Sequence, residues 1–187
     1  SCLMAPNRNE PMSQADIERQ LCQFFHADRV LWLDHSWLAG DDTDGHVDTV
    51  ARLCDPHTIA YVQCTDQEDE HYAGLHAMEA ELRTFTTRDG QSYRLIPLPM
   101  PAPIYDETDK DEAGNPQRLP ATYANFLIMN GAVLMPTYGQ PDSDQLAMQQ
   151  LQLAFPGRTV VGIDCRVLIR QHGSLHCCTM QYPEAHS

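Results

Sequence analysis

Apolar residues three and four positions apart mark three helices along the chain. Ser13 is followed by Asp16 at the spacing of a capping box, then by Ile17, Leu21, Phe24 and Phe25 at helical intervals, which predicts a helix over 13–25. Leu75, Met78, Leu82 and Phe85 repeat the spacing inside 68–86, and Leu146, Met148, Leu151 and Leu153 repeat it inside 143–155, where Pro156-Gly157 ends the run. Between and after these lie runs of strand length at 29–33, 46–53, 58–63, 93–97, 123–128, 132–136, 159–163 and 166–169. Asn130-Gly131 is the strongest hairpin signal, and Asp55-Pro56 marks another turn. Two acidic stretches, 34–45 with Asp41, Asp42 and Asp44, and 104–120 with Asp106, Glu107, Asp109, Asp111 and Glu112, read as exposed loops.

In order, these elements say strand, strand, helix, strand, and then say it again, over about 46–97 and 123–163. A helix and a strand are left over in front and a strand behind. The expectation is an α+β fold of ββαβ modules in a single domain, 1–187, with earlier modules missing at the ragged front. The first residues, Ser1-Cys2-Leu3-Met4, agree with a chain cut inside a strand or with a mature or engineered boundary, and they have no signal-peptide layout.

Composition narrows the function classes. Hydrophobic residues make up 42% and charged residues 20%, as in a folded globular chain. Twelve basic residues, with Lys110 the one lysine, face twenty-six acidic ones for a formal charge of −14. Such a field repels phosphate backbones and anionic lipid, so neither nucleic acid nor membrane is expected as a partner, whereas a small cation is attracted. The same surface also serves plain solubility. Seven cysteines without a C-x-x-C pair suggest neither a disulfide framework nor a cysteine zinc cluster and point to a reducing, cytoplasmic setting. No run approaches the roughly 20 apolar residues of a membrane span.

Two constellations carry candidate chemistry. In Gly45-His46-Val47-Asp48, extended backbone would put His46 and Asp48 on one face, an imidazole to exchange protons beside a carboxylate to orient it or grip a cation. A satisfied polar pair at a strand end fits the same residues. In Gly173-Ser174-Leu175-His176-Cys177-Cys178-Thr179-Met180, an extended backbone would face Cys177 and Cys178 apart, so only one could join His46 and Asp48, and periodicity does not choose between them. A thiol there is either a nucleophile or a small buried hydrophobe. His172, His176 and the thiols are residue types that bind zinc, but H-x-x-x-H puts both histidines on one face only of a helix or, less well, of a strand, while the thiols split, and no metal is expected.

Longer runs carry a resemblance. Trp32-Leu33 with Asp42-Thr43-Asp44-Gly45-His46-Val47-Asp48, Leu119-Pro120-Ala121-Thr122-Tyr123-Ala124-Asn125-Phe126 with Asn130-Gly131-Ala132-Val133-Leu134-Met135-Pro136-Thr137-Tyr138-Gly139, and Val161-Gly162-Ile163-Asp164-Cys165 with His172-Gly173-Ser174-Leu175-His176-Cys177 and Thr179-Met180-Gln181 resemble the agmatine deiminases. These are relatives of the bacterial peptidylarginine deiminases among the guanidine-modifying penteins. The likeness spans essentially the whole chain, including Asn7-Arg8-Asn9. It implies a propeller-like fold of five ββαβ modules, about three of them present. It also implies hydrolysis of agmatine to N-carbamoylputrescine and ammonia in putrescine synthesis, without cofactor or metal. By the same resemblance Cys177 is the nucleophile and His46 and Asp48 are catalytic, while Cys178 stands where the family usually has an apolar residue. Two further acidic groups that hold the guanidinium in the family come from its N-terminal half, and no motif for them is found here. Association with that half, or between copies, is therefore expected. Deimination of peptidyl arginine, and a non-catalytic guanidine or polyamine binder, are the competing readings.

Overall fold

In the computed structural model, which describes residues 2–110 and 114–182, the first turn α1 (Pro6–Asn9) leads into α2 (Gln14–Phe25). Ser13 and Asp16 exchange backbone and side-chain hydrogen bonds as a capping box, and His26 closes the helix in the left-handed region. The first module follows as β1 (Ala51–Asp55), β2 (Thr58–Gln63), α3 (Tyr72–Leu82) and β3 (Arg94–Pro99). A hairpin of β4 (Tyr105–Lys110) and β5 (Pro116–Arg118) intervenes. The second module is β6 (Leu127–Ile128), β7 (Ala132–Thr137), α4 (Pro141–Ala154) and β8 (Thr159–Asp164).

The two modules have one topology. β1 runs antiparallel to β2 and β2 parallel to β3, and β6, β7 and β8 repeat that arrangement. β2 is central, and its residues from Thr58 to Val62 are all buried, as a strand covered on both faces requires. β3 is an edge, which is why it tolerates Pro97 and Pro99 without losing ladder bonds. Leu75, Met78 and Leu82 of α3 and Ala147, Leu151 and Ala154 of α4 face inward. α4 packs on β8 of its own module and on β3 of the preceding one, so the two sheets share a continuous core running through Met78, Leu98, Met135 and Leu151.

Several expected elements take another form. The run 29–33 is not a strand: no strand among the described residues pairs with it, and side chains hold it instead, with Trp32 Nε1 donating to Glu18 and Arg29 to Thr86. Two complete modules and a leading helix therefore stand where about three modules are expected. Residues 46–53 do not form one strand, because 46–49 is a turn. Of 123–128 only Leu127–Ile128 is a strand. Residues 166–169 run instead into the 3₁₀ turn Leu168–Gln171. The loop 104–120 contains the hairpin, its Asp111 and Glu112 lying outside the described residues. No helix of the described residues is long and apolar enough to cross a membrane.

Candidate active site

The loop before β1 is built by its own polar side chains. Thr43 Oγ1 donates to Asp41 at 2.5 Å, the Asp41 carboxylate accepts the Gly45 N–H at 3.0 Å, and Thr43 accepts the His46 N–H at 3.3 Å. Such local side-chain bonds compete with a sheet ladder. Gly45 sits at φ +82°, and a Cβ there would meet Ser36 Oγ at 2.9 Å, so glycine is required on both counts. Val47–Thr49 then turns as a 3₁₀ helix, with Thr49 Oγ1 donating to the His46 carbonyl at 2.7 Å. The strand alternation expected to pair His46 and Asp48 is consequently absent.

Cys177 arrives from the other end of the chain on a second 3₁₀ turn, His176–Cys178, rather than on extended backbone. Gly173 packs under it: a Cβ on Gly173 would lie 2.9 Å from Cys177 Cβ. Tyr138, buried at the end of β7, places this turn. Its hydroxyl accepts the Thr122 N–H at 3.1 Å, donates to the Thr122 carbonyl at 2.8 Å and lies 2.9 Å from Ser174 Oγ.

The third contributor is Asn125, fully buried in the irregular segment before β6. Its Oδ1 accepts the N–H groups of His176 at 2.8 Å and Cys177 at 3.3 Å, while its Nδ2 donates to the Asp48 carbonyl and to Asp48 Oδ2, both at 3.2 Å. His176 Nδ1 donates to the same Asp48 Oδ2 at 2.6 Å. Arg52, on β1, donates to the Phe126 carbonyl at 2.5 Å and lies over the Phe126 ring. Asp48, Cys177 and Asn125 thus meet from segments remote in sequence, with His176 and Arg52 beside them. Asn125 is marked by no spacing pattern, and His176, a zinc-ligand candidate by its spacing from His172, instead bonds Asp48; both stand inside the family-like runs.

The electrostatics follow from these contacts. Burial raises the Asp48 pKa, but the His176 hydrogen bond and the charges of His176, Arg52 and His46 outweigh it and leave the carboxyl below its ordinary range. Although Cys177 is exposed overall, partial desolvation of its sulfur and the charge of Asp48 push the thiol up against opposing hydrogen bonds from Ser174 and Asn125. The ring of His46 makes no hydrogen bond to another described residue. Cys178, also exposed, accepts from Gln171 Nε2 at 3.0 Å. His172 leaves this cluster altogether: its ring donates to the Gly40 carbonyl at 2.9 Å and approaches Asp109 at 3.3 Å. No group of three potential metal ligands occurs among the described residues. Next to Asp48 and Arg52, an apolar cavity of about 260 Å³ is lined by Leu31, Leu33, Val47, Leu53 and Phe85 among others.

Comparison with known proteins places this geometry. A family model described as Porphyromonas-type peptidyl-arginine deiminase matches residues 1–183. The agmatine deiminase of Pseudomonas fluorescens is 34% identical, the alignment covering 99% of this chain and 52% of that protein. A solved structure from Porphyromonas gingivalis, provisionally named an arginine deiminase, shares 54% identity at a TM-score of 0.91 and covers 98% of this chain and 52% of its own. The C. jejuni agmatine deiminase, solved as a cysteine-to-serine variant with substrate bound, shares 39% identity at a TM-score of 0.84 over 94% of this chain and 48% of its own. The chain spans about half the length of the curated relatives it matches. The mixed α/β fold described above is accordingly that of about half of each solved deiminase. With the family model covering nearly every residue, the chain belongs to the Porphyromonas-type peptidyl-arginine deiminase family.

Proposed function

We propose that the chain is the cysteine-bearing C-terminal portion of an agmatine deiminase. It would hydrolyse the guanidinium of agmatine to N-carbamoylputrescine and ammonia in the cytoplasm, as a step toward putrescine. The observation that carries this reading is the meeting of Asp48 and Cys177 through the shared clip of Asn125. Relatives named agmatine deiminase supply the substrate class.

The residues suit such a reaction. At rest Cys177 favours the thiol, since partial desolvation of the sulfur and, after it, the charge of Asp48 disfavour a thiolate. A guanidinium against Asp48 cancels that charge and favours the thiolate, so nucleophile and substrate are readied together. Sγ then bonds to the guanidinium carbon, the C–N bond breaks, and His46 gives the proton that lets ammonia leave. The amidino-thioether is hydrolysed by a water that His46 deprotonates. The C–S bond breaks, the ureido product departs and Cys177 is restored. Substrate captured by a cysteine-to-serine variant of the C. jejuni protein is what such a nucleophile predicts.

For architecture, we take the whole protein to be a propeller of five ββαβ modules. Two are complete here, and α2 with the unpaired apolar run 29–33 would belong to a third. The partner is then the half of the relatives' length that this chain lacks, or a second copy. Deimination of peptidyl arginine is the second reading. The family description and the 47% identity to a solved structure provisionally named a peptidyl-arginine deiminase favour it. Ureido formation from agmatine and from a peptidyl arginine, measured with the chain combined with the other half of the protein, decides between them. Turnover of agmatine alone is expected, and turnover of peptidyl arginine alone would replace the first reading by the second.

A further inference from the structure

We infer that His176 and Asn125 hold the Asp48 carboxylate in one orientation, with Oδ2 occupied by protein donors and Oδ1 left for a cationic ligand. His176 is thus a positioning residue of the deimination, and the inference rests on that reading of the site. Oδ2 receives His176 Nδ1 at 2.6 Å and Asn125 Nδ2 at 3.2 Å, whereas Oδ1 receives no hydrogen bond from the described residues. An ionised carboxylate only accepts, so Nδ1 of His176 carries its hydrogen. The Asn125 amide is fully buried, and both its carbonyl and its amino group are engaged. Its oxygen takes the backbone of the turn that carries Cys177, and its nitrogen takes Asp48, so carboxylate and sulfur are tied across one side chain. A guanidinium fork normally seeks both oxygens of a carboxylate. Here it would meet Asp48 chiefly through Oδ1, on the side away from His176.

This role differs from proton transfer by His176. A donor at the Nδ1 position suffices for positioning, and an asparagine at 176 supplies one without an ionisable ring. Besides His176, the titratable or charged groups bearing on Asp48 are His46 in its own turn, Arg52 on β1 and Cys177 on the facing turn.

The test compares wild type, His176→Asn and His176→Ala, each combined with the other half of the protein and matched for fold by amide NMR spectra. Loss of a hydrogen bond to a charged group predicts that His176→Ala loses about 10 to 100-fold in kcat/KM for agmatine, chiefly through KM, while His176→Asn stays near wild type. An asparagine variant as impaired as the alanine variant, or an unimpaired alanine variant, overturns the inference. A second arm needs no turnover: carbon NMR of Asp48 should show its carboxyl titrating at higher pH in His176→Ala than in wild type or His176→Asn. Identical Asp48 titration in all three also overturns it. Absence of any turnover by wild type would refute the deiminase reading instead, and the titration arm would still decide the orientation of Asp48.

Discussion

Two adjacent thiols, both exposed, occupy different surroundings, and the difference predicts their chemistry. Cys177 hangs by its N–H from Asn125 and lies in the field of Asp48, while the sulfur of Cys178 accepts from Gln171. With the other half of the protein supplied, Cys177→Ala should therefore abolish deimination, and Cys178→Val should leave most of it. In iodoacetamide labelling followed by peptide mapping, agmatine should protect Cys177; selective protection of Cys178 would reverse the assignment. His46 and Asp48 should separate in the same assay. His46→Asn removes proton transfer and should lower kcat by about 10² to 10⁴. Asp48→Asn removes charge with little change of shape and should raise KM as well, so wild-type values of both parameters would dispose of its role. Both motifs are visible in the sequence, but each lies on a 3₁₀ turn, so strand alternation does not relate their side chains. Asn125 escaped spacing arguments since it stands in irregular backbone, where no periodicity assigns a face.

At the scale of elements, α4 offers the plainest test of packing, since it spans both sheets. Leu151 is fully buried and Leu153 is 54% exposed on the same helix. Leu151→Ala should cost about 2 to 5 kcal/mol in denaturant unfolding, and Leu153→Ala little. A buried network pins the start of α3. His71 Nδ1 donates to Asp69 at 2.7 Å, its Nε2 accepts the Ala39 N–H at 2.9 Å, and Arg118 bridges to Asp69 at 2.8 Å. Burial drives the His71 pKa down, beyond what its hydrogen bond to Asp69 restores. The folded pKa then lies below the unfolded value of about 6.5, the unfolded chain binds the extra proton, and stability falls as pH drops below about 6.5. Denaturant midpoints should decline from about pH 7 to about pH 5 in wild type and less steeply in His71→Gln, which keeps a donor and an acceptor without an ionisable ring. Equal slopes would remove His71 as the cause. Periodicity was a good guide to these elements: the capping box at Ser13, strand 58–63 and the hairpin at Asn130-Gly131 stand where their patterns put them. It failed at 29–33 and 166–169, where an apolar run pairs with no strand among the described residues and local pattern carries no information about neighbours.

For the whole molecule, an unpaired apolar run borders the chemistry. The apolar run 29–33 pairs with no strand among the described residues, and its Leu31 and Leu33 share with Val47, Leu53 and Phe85 the apolar cavity next to Asp48. Phe24 and Phe25 at the end of α2 are 70% and 75% exposed. A chain that spans about half of its relatives and presents such faces should associate, since exposed apolar patches of this kind mark interaction sites. Function adds a second reason. Among the described residues no second carboxylate stands beside Asp48 to hold the cationic substrate, and a guanidinium so loosely placed reacts poorly, because small misplacements cost about 10²-fold. Residues 1–187 alone should therefore release little or no ammonia from agmatine and should sediment as an associated species. Adding the other half of the protein as a separate polypeptide should restore turnover and leave a defined complex. Full turnover by a monodisperse monomer of the 187-residue chain would show that the guanidinium is held by groups already present here, and that the apolar face beside Asp48 needs no partner.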